Sequence, residues 1–350
     1  MPNPSQHAAF RPIAVTLIAL VAYRLGAQLP LPGLDLDYLS QIGTGGAVSP
    51  EALGRLSVLA LGVLPWFSAL TLAELFAVVL PQSGIERFTT SGHVQPFSRP
   101  VIVLTVLVAA FQGLGIARAM SQIPNLVAEP GPAFVISAVA TLVAGTAILI
   151  ALALIIERHG MGHGFWIMLA ASMLAQMPSH FRVMLMMLEE GLASPAATAV
   201  AVASTAAIVA LVVALLEARR RANVTSLGIF VWPLVLASLA SGLIVGIASL
   251  TLPEGSDGQI DSLAKMLTNE PAGFVIGGVI GGIFVAGYAD REQNWQFFLP
   301  AAALVIAVQL QSIMAEHLQV QPPLAGASLV IVAVVLYLVV MRVREMMQGT

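Results

Sequence analysis

Residue types that carry reaction chemistry are scarce in this 350-residue chain, and those present are spaced for other work. His159 and His163 stand four apart, a spacing that on a helix puts two imidazoles on one face, where they could share a metal ion. Gly160, Gly162 and Gly164 surround them, so a turn is expected and no metal. No G-x-S-x-G or H-E-x-x-H run occurs and cysteine is absent, which removes the usual signatures of serine hydrolases and zincins, and all thiol chemistry. The chain is read as a non-enzyme without cofactors. Glu74 is the exception that needs a reason. A carboxylate within an apolar run costs about 2.5–3.5 kcal/mol on membrane-insertion scales and is functional by default. It could be protonated, bonded to a polar neighbour, or wetted by a water-filled cavity open to the cytoplasm, and wetting is the expectation.

The elements that position these groups follow from composition. With 58% hydrophobic and 9% charged residues and a mean hydropathy of +0.92, the chain cannot cover itself with polar surface, so it is expected to be an integral membrane protein. Its apolar runs are long and unalternating, which predicts spanning helices rather than barrel strands. Ten spans are expected: Pro12–Pro30, Leu56–Leu80, Arg99–Ala119, Pro132–Ile156, Phe165–Leu188, Pro195–Leu216, Leu227–Leu252, Pro271–Ala289, Phe297–Ala315 and Leu324–Val340. The first run carries Tyr23-Arg24 and ends in Pro30-Leu31-Pro32-Gly33, so it reads as a permanent span and not a cleaved signal.

Ten spans put both termini on one side. That side collects Arg11, Arg87, Arg99, Arg158, Arg219, Arg220, Arg221, Arg291, Arg342 and Arg344, whereas the other receives Arg55, Arg118, Arg182 and Lys265. The bias makes the termini cytoplasmic. Arg219-Arg220-Arg221 reads as a topology anchor and cytoplasmic contact, with no nucleic acid implied.

Two sets of five spans, residues 1–190 and 191–350, must be inverted relative to each other because five is odd. The second span of the first set carries Gly62, Pro65 and Ser68, and the second span of the other carries Gly228, Pro233 and Ser238. Paired Gly/Pro-interrupted helices in matching positions point to a pathway at the repeat interface. The run Leu59–Leu75 is accordingly expected to be one membrane-length helix kinked at Gly62 and Pro65. Before it, the long stretch Pro32–Arg55 with Gly43, Gly45 and Gly46 is expected to fold back into the bundle.

Tyr23-Arg24-Leu25-Gly26, Leu29–Gly33, Leu59–Pro65, Phe111–Ile116, Glu157–Gly164, Ala175–Pro178, Glu217–Arg221 and Gly326–Ile331 together resemble, in order and spacing, the SecY family of protein-translocation channels. The resemblance implies an hourglass pore narrowed by a ring of Val63, Phe67, Leu169, Met173, Val235 and Ile331. It implies a plug at about 34–56, including Gly43, Gly45, Gly46 and Leu53. It also implies a lateral gate between the second and seventh spans, containing Ser68, Thr71, Glu74, Gln112, Ser238 and Ser241. A collar of flexible apolar side chains closes around a passing chain and dewets when empty. Gate contacts of about 0.6–2 kcal/mol each suit a seam that must open.

The resemblance implies polypeptide clients, small helical membrane subunits of SecE and SecG type, and a bacterial inner membrane. It also carries departures. The family's long cytoplasmic loops shrink here to Asp290–Trp295 and about Arg219–Ser226, which puts docking of a motor ATPase or ribosome in doubt and favours a specialised member. Glu74 stands where the family usually has a neutral amide. Two other readings remain open: a small-solute secondary transporter with Glu74 as its coupling carboxylate, and a non-conducting insertase or scaffold with the same fold.

Overall fold

The structure is a computed structural model that describes residues 4–39, 56–80, 89–90, 93–222, 228–251, 258–260, 262–263, 271–291, 295–320 and 322–348. Eleven principal helices are described: α1 Pro4–Gly26, α2 Leu64–Val79, α3 Arg99–Ser121, α4 Pro132–His159, α5 Gly164–Leu174, α6 Met177–Glu189, α7 Pro195–Arg221, α8 Gly228–Thr251, α9 Pro271–Arg291, α10 Phe298–His317 and α11 Gly326–Gln348. The described strands are two residues each, Thr89–Thr90 and His93–Val94. Six helical segments are long and apolar enough to cross a membrane, while Leu64–Val79 and Phe274–Asp290 are apolar but shorter. The chain is a multi-pass membrane protein.

Helix starts follow local chemistry. Proline occupies the first turn of α3, α4, α6 and α7, where its missing N–H costs nothing. Ser194 caps α7 by accepting the Ala197 N–H at 3.1 Å.

The chain divides into two compact units. One comprises Met1–Glu74, Val94–Ala175 and Leu338–Thr350; the other comprises Leu75–His93 and Gln176–Tyr337. In the first, α4 packs against α1, α3 and α5. Its buried positions Phe134, Ala138, Leu142, Gly145, Leu149, Ala153 and Ile156 recur at helical spacing. The facing stripe of α3, Thr105, Ala109, Gly113 and Ala117, is small, so the two backbones come close. Gly164 opens α5 directly against the backbone carbonyl of Ala153. In the second unit, α8 packs on α9, α9 on α10, α10 on α7, and α6 on α7. Gly277 and Gly281 of α9 leave room for Gln309 and Val305 of α10, and Gln311 donates to Thr205 of α7 at 2.9 Å.

Two expectations need correction. The second span is not a kinked membrane-length helix. Gly62 takes a left-handed φ of 57°, residues 57–62 form turns, and α2 begins at Leu64 with 16 residues. Pro65 therefore sits in a first turn, where its carbonyl-clash and lost donor disappear. At 1.5 Å per residue the helix is about 24 Å long, short of a hydrocarbon core of about 30 Å. The fifth span is two helices, α5 and α6, broken at Ala175–Gln176 just before Pro178. By contrast, Pro233 does lie inside α8.

Replacing Gly164 by alanine drives Cβ into the Ala153 backbone, and backbone cannot swing away as a side chain can. Gly164→Ala is expected to lose about 1–3 kcal/mol in detergent unfolding. Gly115→Ala, in α3 with open space around the new methyl, is expected to be neutral or stabilising by up to about 1 kcal/mol.

Candidate functional site

Among the described residues, the ring and gate positions singled out by sequence lie on or just before α2 and on α3, α5, α8 and α11, and the arginines on α7 and α9. On α2, Trp66, Ala69, Leu70, Ala73 and Glu74 form one buried stripe at helical spacing. Trp66 donates through Nε1 to the Pro96 carbonyl at 2.9 Å, and its ring meets Phe97 and Phe165 edge-on at centroid distances of 5.1 and 4.7 Å. Two turns further on, the Glu74 carboxylate accepts the Val94 N–H at 2.7 Å. The segment Val94–Pro96 thus runs antiparallel along α2, fixed at both ends.

Glu74 does not face water, as had been expected from its place on the helix: it is 0% exposed. Its carboxylate completes a backbone donor that a returning chain would otherwise bury unpaired. The signal in the sequence was the run of alanines beside it, Ala69, Ala73 and Ala77, which marks a helix face approached closely by other backbone. Trp66 was missed altogether, although it lies on the same stripe eight residues before Glu74.

Val63 precedes α2, its carbonyl accepting the Phe67 N–H at 2.9 Å. Val63 is buried and Phe67 half-buried. Leu169 and Met173, buried and half-buried, share a face of α5, and the Trp66–Phe165 contact brings α2 against the start of that helix. In the other unit, Val235 lies in the buried run Ile229–Ala237 of α8, and Ile331 in the buried run Leu329–Val335 of α11. None of the six has an exposed side chain.

Among the polar residues, Thr71 donates to Phe67 O at 2.7 Å, Ser238 to Leu234 O at 3.0 Å and Ser241 to Ala237 O at 3.1 Å. Each hydroxyl spends its single proton on its own helix, one turn back, and keeps lone pairs for an incoming donor. Ser68 on α2 and Gln112 on α3 are half-buried.

Gly43, Gly45, Gly46 and Leu53 lie outside the described residues. The chain on either side of them is tied down. Leu31 N–H donates to Leu56 O at 2.8 Å and Val58 N–H to Leu29 O at 2.9 Å, while Asp35 N–H donates to Leu126 O at 3.0 Å and Ala128 N–H to Gly33 O at 3.1 Å. Two isolated antiparallel bridges, Pro30 with Ser57 and Leu34 with Val127, hold residues 29–35 between these neighbours.

The arginine run is not a uniformly solvated face. Arg220 and Arg221 are exposed, but Arg219 is 0% exposed, with its guanidinium 4.9 Å from the Phe297 ring and 5.2 Å from the Phe230 ring. The spacing explains it: Ile208, Val212, Leu216 and Arg219 continue one buried stripe of α7. Arg219 is therefore withdrawn as a surface contact. Arg291 is the last residue of α9.

These helices define a polytopic α-helical membrane protein with the fold of the Sec61 and SecY channel subunits. The Sec61 structure from the canine ribosome-channel complex of the endoplasmic reticulum aligns at a TM-score of 0.53 and 14% identity, covering 96% of this chain and 92% of that one. A family model described as SecY matches residues 57–229, which take in α2 to α7. The protein translocase subunit SecY of Escherichia coli K12 is 35% identical over 173 residues, 46% of this chain and 39% of that protein. The Aquifex aeolicus subunit is 33% identical over 185 residues, 47% of this chain and 42% of its own length. Over residues 57–229, just under half of its length, the chain is similar to the SecY family. The matched stretch is less than half the length of each of these curated relatives.

Two substitutions separate the parts of the α2 anchorage. Glu74→Gln keeps an acceptor for the Val94 N–H and is expected to unfold close to the parent, whereas Glu74→Leu strands that donor and is expected to cost about 1–3 kcal/mol. Trp66→Phe loses both the bond to Pro96 and part of a fully buried ring system, and is expected to cost about 2–4 kcal/mol in the same thermal or denaturant assay.

Proposed function

We propose that the chain is a protein-conducting channel that moves secretory polypeptides across the membrane and releases apolar segments sideways into the bilayer. The observation that carries this reading is the SecY match running through α2 and α5, together with six apolar residues, four buried and two half-buried, at the positions of the family's waist. In the proposal Val63, Phe67, Leu169, Met173, Val235 and Ile331 form the pore ring. The stretch with Gly43, Gly45, Gly46 and Leu53 serves as plug, and Ser68, Thr71, Gln112, Ser238 and Ser241 lie along a gate between the two inverted halves. Hydroxyls already bonded within their own helices give a seam that separates without breaking strong interhelical bonds.

A small-solute transporter needs a coupling carboxylate that substrate or ion can reach. Glu74 is fully buried and engaged by the Val94 N–H, so that reading loses its candidate.

The proposed setting is a bacterial inner membrane with both termini cytoplasmic, and the proposed partners are small helical subunits of SecE and SecG type. The canine Sec61 relative was solved with a ribosome. In this chain the connections from α7 to α8 and from α9 to the turn Trp295–Phe297 are short, which argues against a large docking surface of that kind.

Photo-crosslinkers placed at Phe67 and Val235 are expected to capture a stalled secretory client in membranes; client absent from both positions would overturn the proposal. Met173→Gly, which removes a flexible side chain from the ring, is expected to raise ion conductance across planar bilayers well above that of the parent. An unchanged, sealed bilayer would count against Met173 as part of the waist.

A further inference from the structure

Arg219 occupies a core position that its neighbours do not. It sits in the last turn of α7, where the helix dipole favours a cation, and it is enclosed by one ring from the first turn of α8, Phe230, and one from the turn leading into α10, Phe297. The two rings also meet each other, edge to face, at 6.2 Å. All three are buried. A guanidinium is flat and weakly hydrated, so it can present both faces to aromatic rings where a lysine ammonium cannot. The cluster therefore joins the ends of α7, α8 and α10 at one point.

On α8 the joint falls just before a weakness. Pro233 lies three residues after Phe230 inside the helix and supplies no N–H to the preceding turn. The turn holding Phe230 is fixed on one side of that gap. Val235, Ser238 and Ser241 all lie on the other. We propose that Arg219 is a positioning residue that clamps the first turn of α8 to α7 and α10, so that any movement of the remainder of α8 starts at Pro233. The inference rests on the channel reading only in giving that movement a purpose; the clamp itself is a property of one unit.

The chain has no cysteine, so paired cysteines can be labelled uniquely. Spin labels at Ala222→Cys and Gln296→Cys, both exposed, report the distance between the α7 end and the turn before α10. A second pair, Val202→Cys and Ile306→Cys, reports α7 and α10 away from the clamp. In the purified chain, without client, Arg219→Met keeps the volume and removes the charge. It is expected to broaden the first distance distribution at least twofold and leave the second unchanged. Phe297→Leu is expected to do the same, the double variant to be no broader than either single one, and Arg219→Lys to recover part of the narrow distribution. A narrow first distribution in both Arg219→Met and Phe297→Leu overturns the proposal. Equal broadening of both pairs also overturns it, because it reduces Arg219 to a general fold requirement. Neither readout depends on conduction, so failure here is separate from failure of the crosslinking experiment.

Discussion

Inside a bilayer every backbone N–H and C=O must find its partner within the protein, and this requirement organises the chain from α2 outward. Helix α2 begins where a proline can be accommodated without an orphaned carbonyl. The segment that returns beside it is not helical, and its Val94 N–H and Pro96 carbonyl are taken up by two side chains of α2, Glu74 and Trp66. The same rule sends the hydroxyls of Thr71, Ser238 and Ser241 back to their own helices. Where the chain leaves helix altogether, at residues 29–35, backbone bonds to the chain near Ser57 and near Val127 satisfy its polar groups.

Close approach is the second constraint. The small stripe of α3 against α4, Gly164 at the Ala153 carbonyl, and Gly277 and Gly281 against α10 all trade side-chain volume for backbone proximity. Association in lipid has little hydrophobic driving force, so dispersion between tightly fitted surfaces has to supply it.

Much of the fold was legible in the sequence because it is written in run length. Each expected span overlaps a helix, and proline in the first turn marks several of the starts. What could not be read was anything set by distant chain. Pro65 looks the same in a kink and in a first turn, and only the turns at 57–62 decide between them. Glu74 looked wet because position along a helix says nothing about a segment that returns twenty residues later. Arg219 looked like its two neighbours, since a triplet of arginines conceals which one completes the stripe of Ile208, Val212 and Leu216. The proposed ring positions rest on family register, as hydrophobic periodicity cannot tell a waist from ordinary core.

The buried arginine also has a consequence for assembly. Its two aromatic partners come later in the chain, one at the start of the next helix and the other only after α9 has been made. Until the turn at Trp295–Phe297 arrives, the end of α7 lacks one face of its enclosure, and a bare guanidinium prefers water to a half-built apolar site. The enclosure of Arg219 is therefore completed by a contact distant along the chain, of the kind whose loop-closure entropy must be met before it stabilises anything.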